Sequence, residues 1–319
     1  MSRFIKKYGL YLLLGCFSLM LNGCIKENLD DCKPYCIHFV YDYNLEYNDL
    51  FSKEVTKMNL YVFDENGNFV KEFQEIIPST SSGTYSMEIP LPNGQYTFIA
   101  WAGVSPDAYA VAGGDALKNT KLDDFKLQLA QLAAGETNQK LPDLYFGRLT
   151  STVEINKEGT ISLVKNSKTV TVTMLPINDS GTPIVLNKDN YKIWIETPDG
   201  IYDSNNNPSG GIIKHGPYTG QNNNDGGFTL EISTLRLMAN AVNTLVIETS
   251  YGEPLLRLNL NNLIDELRMS GHGNLSLQEY LDRQSKFDIV IDGVIDNEMF
   301  SSISITVNGW LIRNQNVHN

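Results

Sequence analysis

The chain has 319 residues, 42% of them hydrophobic and 19% charged, which excludes an intrinsically disordered polymer and provides for packed cores. At about 100–200 residues per domain this length predicts two domains. The formal net charge of -12 removes nucleic acid as a partner, because that affinity rests on Lys and Arg displacing counterions from phosphates.

The first residues read as a targeting segment. Arg3, Lys6 and Lys7 form a positive start without an acidic residue, and an apolar stretch runs from Gly9 to Leu21. That stretch is shorter than the about 20 residues a spanning helix needs, and it suits a secretory signal. It ends in Leu21-Asn22-Gly23-Cys24, which resembles a bacterial lipobox, with residues 1–23 removed and Cys24 acylated. The other reading is an ordinary secretory signal with a chance cysteine. Acyl chains contribute about 0.8 kcal/mol per buried CH₂, so a multiply acylated Cys24 predicts a protein held on the membrane surface without a spanning helix. The run Lys26-Glu27…Asp30-Asp31 resembles surface-export signals of Bacteroidales lipoproteins and reads equally as a solvated linker. Cys32 and Cys36, either side of Pro34, are placed for a small disulfide loop or two free thiols. Zinc would need two more ligands, and only His38 is near.

Beyond the tether most periodic segments alternate with period two, the pattern of half-buried strands. Met58, Leu60 and Val62 share one face of 56–64, Asn66-Gly67 predicts a hairpin, and a return strand follows through Val70 and Phe73. Tyr85, Met87 and Ile89 mark the next strand, and Tyr96, Phe98 and Ala100 the one after it. Residues 102–121, rich in Gly, Ala and Asp, read as a long surface loop. The polar stretch 157–168 is periodic only at Ile161 and Leu163, which places a domain boundary near 167. Further strands are predicted at 170–174, 191–197, 228–232, 244–249, 254–260, 286–292 and 302–309, with a second loop at 203–227. Helix is scarce: Leu260, Leu263, Ile264 and Leu267 recur at helical spacing up to Gly271, and Ser276-Leu277-Gln278-Glu279 is a capping box opening a short helix. Both helices are expected to cover one end of the second domain. The pattern as a whole predicts antiparallel β-sandwiches.

The sequence carries no nucleophile-elbow, phosphate-loop or zinc-protease motif. His38, His215, His272 and His318 lack metal-ligand spacing, and Asp292, Asp296 and Glu298 lack that of an EF-hand. Trp101, Trp194 and Trp310 admit either a sugar-stacking platform or separate packing roles. These features predict a binding or structural protein without a cofactor, catalytic residues or a metal, and not an enzyme.

Several stretches together resemble the FimB-type fimbrial anchor proteins of Bacteroidales: Cys24-Ile-Lys-Glu-Asn-Leu-Asp-Asp-Cys32, Ile37-His-Phe-Val-Tyr-Asp-Tyr43 and Leu60-Tyr-Val-Phe-Asp-Glu-Asn-Gly-Asn-Phe-Val70. The most specific is Leu91-Pro-Asn-Gly-Gln-Tyr-Thr-Phe-Ile-Ala-Trp-Ala-Gly103, followed by Ser233-Thr-Leu-Arg-Leu237, Phe287-Asp-Ile-Val-Ile-Asp292 and Ile305-Thr-Val-Asn-Gly-Trp310. The resemblance implies an all-β chain of two tandem transthyretin-like antiparallel β-sandwich domains, 37–167 and 168–319, behind a lipidated tether of 24–36. It further implies a surface-exposed outer-membrane lipoprotein that holds a fimbrillin stalk subunit through non-covalent, strand-type binding. Related stalk subunits lose their first strand to Arg-specific proteolysis, and here no Arg occurs between Cys24 and Arg148. That favours an anchor that keeps its lipid. The competing reading is a surface glycan-binding lipoprotein of a nutrient-uptake system.

Overall fold

A computed structural model describes residues 33–78, 85–111, 115–130, 134–177, 184–296 and 299–316. The signal segment, Cys24 and Cys32 lie outside the described residues, as do Glu298 and His318. The fold is all-β, as the alternating pattern predicts, and its strands form two sandwiches.

In the first sandwich a three-stranded sheet, in the order Glu158–Ser162, Cys36–Val40, Tyr85–Glu88, faces a five-stranded sheet. The five strands run Val164–Lys165, Tyr145–Val153, Gly94–Ala102, Lys57–Asp64, Phe69–Ile76, all antiparallel. Ile37, Phe39, Met87 and Ile161 meet Met58, Leu60, Val62, Phe98 and Ala100 in the core between them. The predicted hairpin at Asn66-Gly67 joins Lys57–Asp64 to Phe69–Ile76.

The second sandwich has six strands on one side, in the order Pro217–Asn222, Phe228–Thr234, Lys168–Ile177, Lys286–Asp296, Met299–Val307, Trp310–Asn316. Opposite lie Pro254–Asn259, Thr244–Thr249, Tyr191–Thr197, Ile213–His215 and Glu136–Thr137. Val170, Val172, Phe287, Ile289 and Ile305 pack against Ile193, Ile195, Leu245 and Ile247. The helices Leu260–Gly271 and Leu277–Arg283 close this core with Leu263, Ile264, Leu267, Tyr280 and Leu281. Ser276 caps the second helix by accepting a bond from the Glu279 N–H at 3.2 Å.

Four sequence readings are corrected. Strand Lys57–Asp64 is buried on both faces: Tyr61 and Phe63 point away from the sandwich core into a third cluster. Phe125 packs on both, with Phe69 on Phe63, and the same cluster takes Tyr109 and Leu117 from 102–121, which is therefore not simply a surface loop: Tyr109–Val111 is a strand. Likewise 203–227 holds the strands Pro208–Ser209, Ile213–His215 and Pro217–Asn222. Finally, the last predicted strand is followed by another, Trp310–Asn316, because Asn308 and Gly309 (φ 47° and 81°) turn the chain back on itself. The sheets are also not purely antiparallel. Cys36–Val40 runs parallel to Glu158–Ser162, Lys168–Ile177 to Lys286–Asp296, and Ile213–His215 to Glu136–Thr137.

Candidate functional site

The residues that chemistry would recruit do not converge. His38 is bonded to Glu158 at 3.0 Å on the first sandwich, His215 is buried against Asp199 at 2.8 Å, and the His272 ring lies 5.3 Å from that of Tyr280. Among the described residues no three His, Cys, Asp or Glu side chains are arranged to hold a metal. Asp292 and Asp296 lie along the strand Lys286–Asp296, in a hairpin with Met299–Val307, and burial raises the Asp292 carboxyl. The three tryptophans belong to three different sheets and form no shared platform. Trp101 is fully buried against Phe146, Trp194 donates to Glu196 at 3.0 Å with Lys214 over its ring, and Trp310 is 56% exposed on the terminal strand.

The densest polar arrangement lies where the sandwiches meet. The Arg236 guanidinium donates twice to Asp282 at 2.7 Å and once to the Asn206 carbonyl at 2.7 Å. Asn166 and Asn206 exchange side-chain amide bonds at 2.6 and 3.0 Å. Asp199 accepts from His215 and from the Leu235 N–H, each at 2.8 Å. Burial pushes the Asp199 carboxyl up, yet the His215 charge and these bonds outweigh it and hold the group below its usual range. Lys168, fully enclosed, donates to the carbonyls of Asp282 and Gln284 at 2.9 Å each, and burial lowers its pKa to about 7. Every carboxylate here is occupied by a donor inside the protein. The Asn166–Asn206 exchange ties the two sandwiches together, and the other bonds tie elements of the second sandwich to one another.

The same region carries a shared apolar core. Ile99, Trp101 and Phe146, on the outer face of the first sandwich, pack with Tyr202, Ile213 and Leu235. A four-stranded sheet in the order Pro208–Ser209, Ile201–Tyr202, Leu127–Leu129, Tyr109–Val111 draws its strands from both sides of residue 167. Sequence reasoning missed this junction. Its members look like ordinary strand residues, and only the both-face hydrophobicity of Tyr61-Val62-Phe63 and Ile99-Ala100-Trp101 signals a second covered face.

Two surfaces suit attachment. The chain enters the first sandwich where Lys33 N–H bonds to the Asn156 side chain at 2.8 Å and Cys36 N–H to the Lys157 carbonyl at 3.3 Å. From there Cys36–Val40 and Glu158–Ser162 run side by side, and the second of them leads on to Lys165–Lys168 at the junction. The segment bearing Cys24 therefore joins at the pole remote from the second sandwich. Cys36 is half-buried, and Cys32, with which a disulfide or two free thiols are the alternatives, is outside the described residues. The other surface is sheet edge. Phe69–Ile76 carries Lys71, Glu72 and Glu75, and Pro217–Asn222 and Pro254–Asn259 each begin with proline beside a bulge. Charges, prolines and bulges all discourage a stray strand from adding. Trp310–Asn316 also has a bulge in its pairing, opposite Ile305 and Thr306, and it presents exposed Trp310 and Leu311.

A sequence model described as fimbrillin-A associated anchor proteins Mfa1 and Mfa2 matches residues 29–316. Among solved structures, a Bacteroides thetaiotaomicron protein described as a candidate polysaccharide-binding protein is 29% identical, with 90% of this chain and 99% of that one covered and a TM-score of 0.77. A candidate adhesin from Bacteroides ovatus is 23% identical, covering 92% and 98%, with a TM-score of 0.79. The fimbrial anchor protein Mfa2 from Porphyromonas gingivalis shares the fold at 18% identity, covering 89% and 100%, with a TM-score of 0.69. No curated protein matches the chain.

Proposed function

The chain belongs to the family of fimbrillin-A associated anchor proteins, and on that premise we propose that it anchors a fimbria to the outer membrane. In this reading residues 1–23 are the signal peptide and Cys24 carries the lipid. Residues 24–36 are the tether, and 37–167 and 168–319 are the two domains, the first lending Glu136–Thr137 to a sheet of the second sandwich. A fimbrillin subunit binds non-covalently by laying an extended segment along a sheet edge. Backbone hydrogen bonds hold that segment, and alternate side chains select it. The observation that carries the reading is the family match over residues 29–316. Two geometric features support it: the described chain enters at the end of the first sandwich remote from residues 165–168, and the edge strand Trp310–Asn316 exposes Trp310 and Leu311.

The test is cross-linking on intact cells followed by purification of the protein with its partners. A fimbrial subunit is expected to come with the lipidated protein. Recovery of a transporter or an oligosaccharide-binding protein with no fimbrial subunit overturns the reading in favour of glycan uptake. Cys24→Ala is expected to lose label from an alkyne fatty acid and to release fimbriae into the medium. Retained label would place the lipid elsewhere.

A further inference from the structure

A cleft of about 760 Å³ opens where the sandwiches meet. Its walls come from the helix Phe51–Glu54, the approach to strand Tyr145–Val153, the segment 165–169 between the sandwiches, and the start of Lys286–Asp296. Four lysines line it, Lys53, Lys140, Lys165 and Lys286, against two carboxylates, Glu54 and Asp143. Both carboxylates are engaged from within. Lys165 Nζ lies 2.8 Å from Glu54 and 2.9 Å from Asp143, the Tyr145 hydroxyl donates to Glu54 at 2.7 Å, and the Ser167 hydroxyl donates to Asp143 at 3.1 Å. Lys165 is thus committed to the wall. Lys53, Lys140 and Lys286 are exposed, and among the described residues none of the three is paired with a carboxylate; Lys140 lies only over the Tyr218 ring, at 5.9 Å.

A group of unpaired lysines in one cleft is unusual on a chain whose net charge is -12. Like charges so gathered raise the free energy of the empty cleft, and a negative ligand relieves them. The Debye length at physiological salt is about 8 Å, so lysines facing one cleft act on a guest together while the acidic surface farther away is screened. The guest's chemistry follows from what else lines the walls. Tyr145 is buried and its hydroxyl is taken by Glu54, so no aromatic face is offered to a sugar ring. Hydroxyls such as Thr56 and Ser285 and flexible ammonium groups suit carboxylates on an extended backbone.

We infer that this cleft binds an acidic, extended stretch of the fimbrial subunit, in addition to the strand-type contact at a sheet edge. The inference rests on the anchor reading above.

The test is Lys53→Glu/Lys140→Glu/Lys286→Glu in the full chain on cells, with the triple Gln variant beside it. All three side chains are exposed, so an unchanged thermal midpoint is expected and checks the fold. Recovery of the fimbrial subunit in pull-downs is expected to fall at least about tenfold in the Glu variant and less in the Gln variant, and added salt should weaken the unaltered complex most. Unchanged recovery overturns the cleft assignment and leaves the anchor reading standing. If the unaltered protein recovers no fimbrial subunit, the anchor reading itself fails. Octaglutamate and alginate, titrated into the purified protein, separate the two kinds of guest. Binding of octaglutamate that is lost in the triple Glu variant supports the peptide, and binding of alginate alone overturns it.

Discussion

At the scale of single residues, the buried pair Asp199–His215 shows how the junction trades solvation for order. Both side chains are almost wholly enclosed, and the carboxylate keeps its charge only because His215 and the Leu235 N–H face it. Removing one partner of such a pair strands the other in a medium that cannot solvate it, which costs about 3–5 kcal/mol. His215→Ala is therefore expected to destabilise the chain by that amount at neutral pH, read from denaturant midpoints. The pH dependence has a definite sign. A carboxyl held below its usual range contributes stability above the unfolded value of about 3.9, and loses it as pH falls through the folded value. Without His215, burial is the dominant influence, the carboxyl is raised, and stability declines as pH climbs past about 4. The gap between the two proteins should accordingly widen as pH rises through that region. A constant gap from pH 3 to pH 7 would mean that the pair is not what holds the site.

At the scale of elements, local signals work where an element's partners are nearby in the chain. The Ser276 cap and the hairpin at Asn66-Gly67 need only a few neighbouring residues, and both form; the Glu279 carboxylate that a full capping box would turn back to Ser276 pairs with Arg283. Ser276→Ala should cost about 1 kcal/mol, because the Glu279 N–H loses its acceptor at a helix start; a midpoint unchanged within error would show that tertiary packing alone holds that helix. Prediction falters where partners are remote. Glu158–Ser162 has little pattern of its own and exists because Cys36–Val40, over a hundred residues earlier, pairs with it in parallel. Tyr109–Val111 is too short to read, and it is fixed by Leu127–Leu129, which is itself paired across the junction to Ile201–Tyr202.

At the scale of the whole molecule, the two sandwiches are one mechanical unit. Trp101 sits between them without exposure, with Phe146 at 4.9 Å and Tyr202 at 6.1 Å between ring centroids. The shared sheet and the reciprocal Asn166–Asn206 amide bonds bridge the same seam. Trp101→Ala should cost about 3–5 kcal/mol by opening a cavity there, and should split a single calorimetric unfolding transition into two. One sharp transition at an unchanged temperature in the variant would show that Trp101 is not what couples the halves.

The β class, most strands, the two longer helices and the family are legible in the sequence, because alternation, capping residues and turn dipeptides act over a few residues and survive in a linear reading; the short helices Phe51–Glu54 and Asp115–Lys118 are not. The family's most specific stretch, Leu91–Gly103, is a turn followed by a strand and is legible for that reason. The candidate surfaces were not legible. The lysine cleft unites residues 53, 140, 165 and 286, and the seam unites Trp101 with Tyr202 and Leu235. These come from the folded arrangement, because a charge or an apolar side chain acquires its meaning from what lies within a few ångströms of it in space, and chain separation says nothing about that distance.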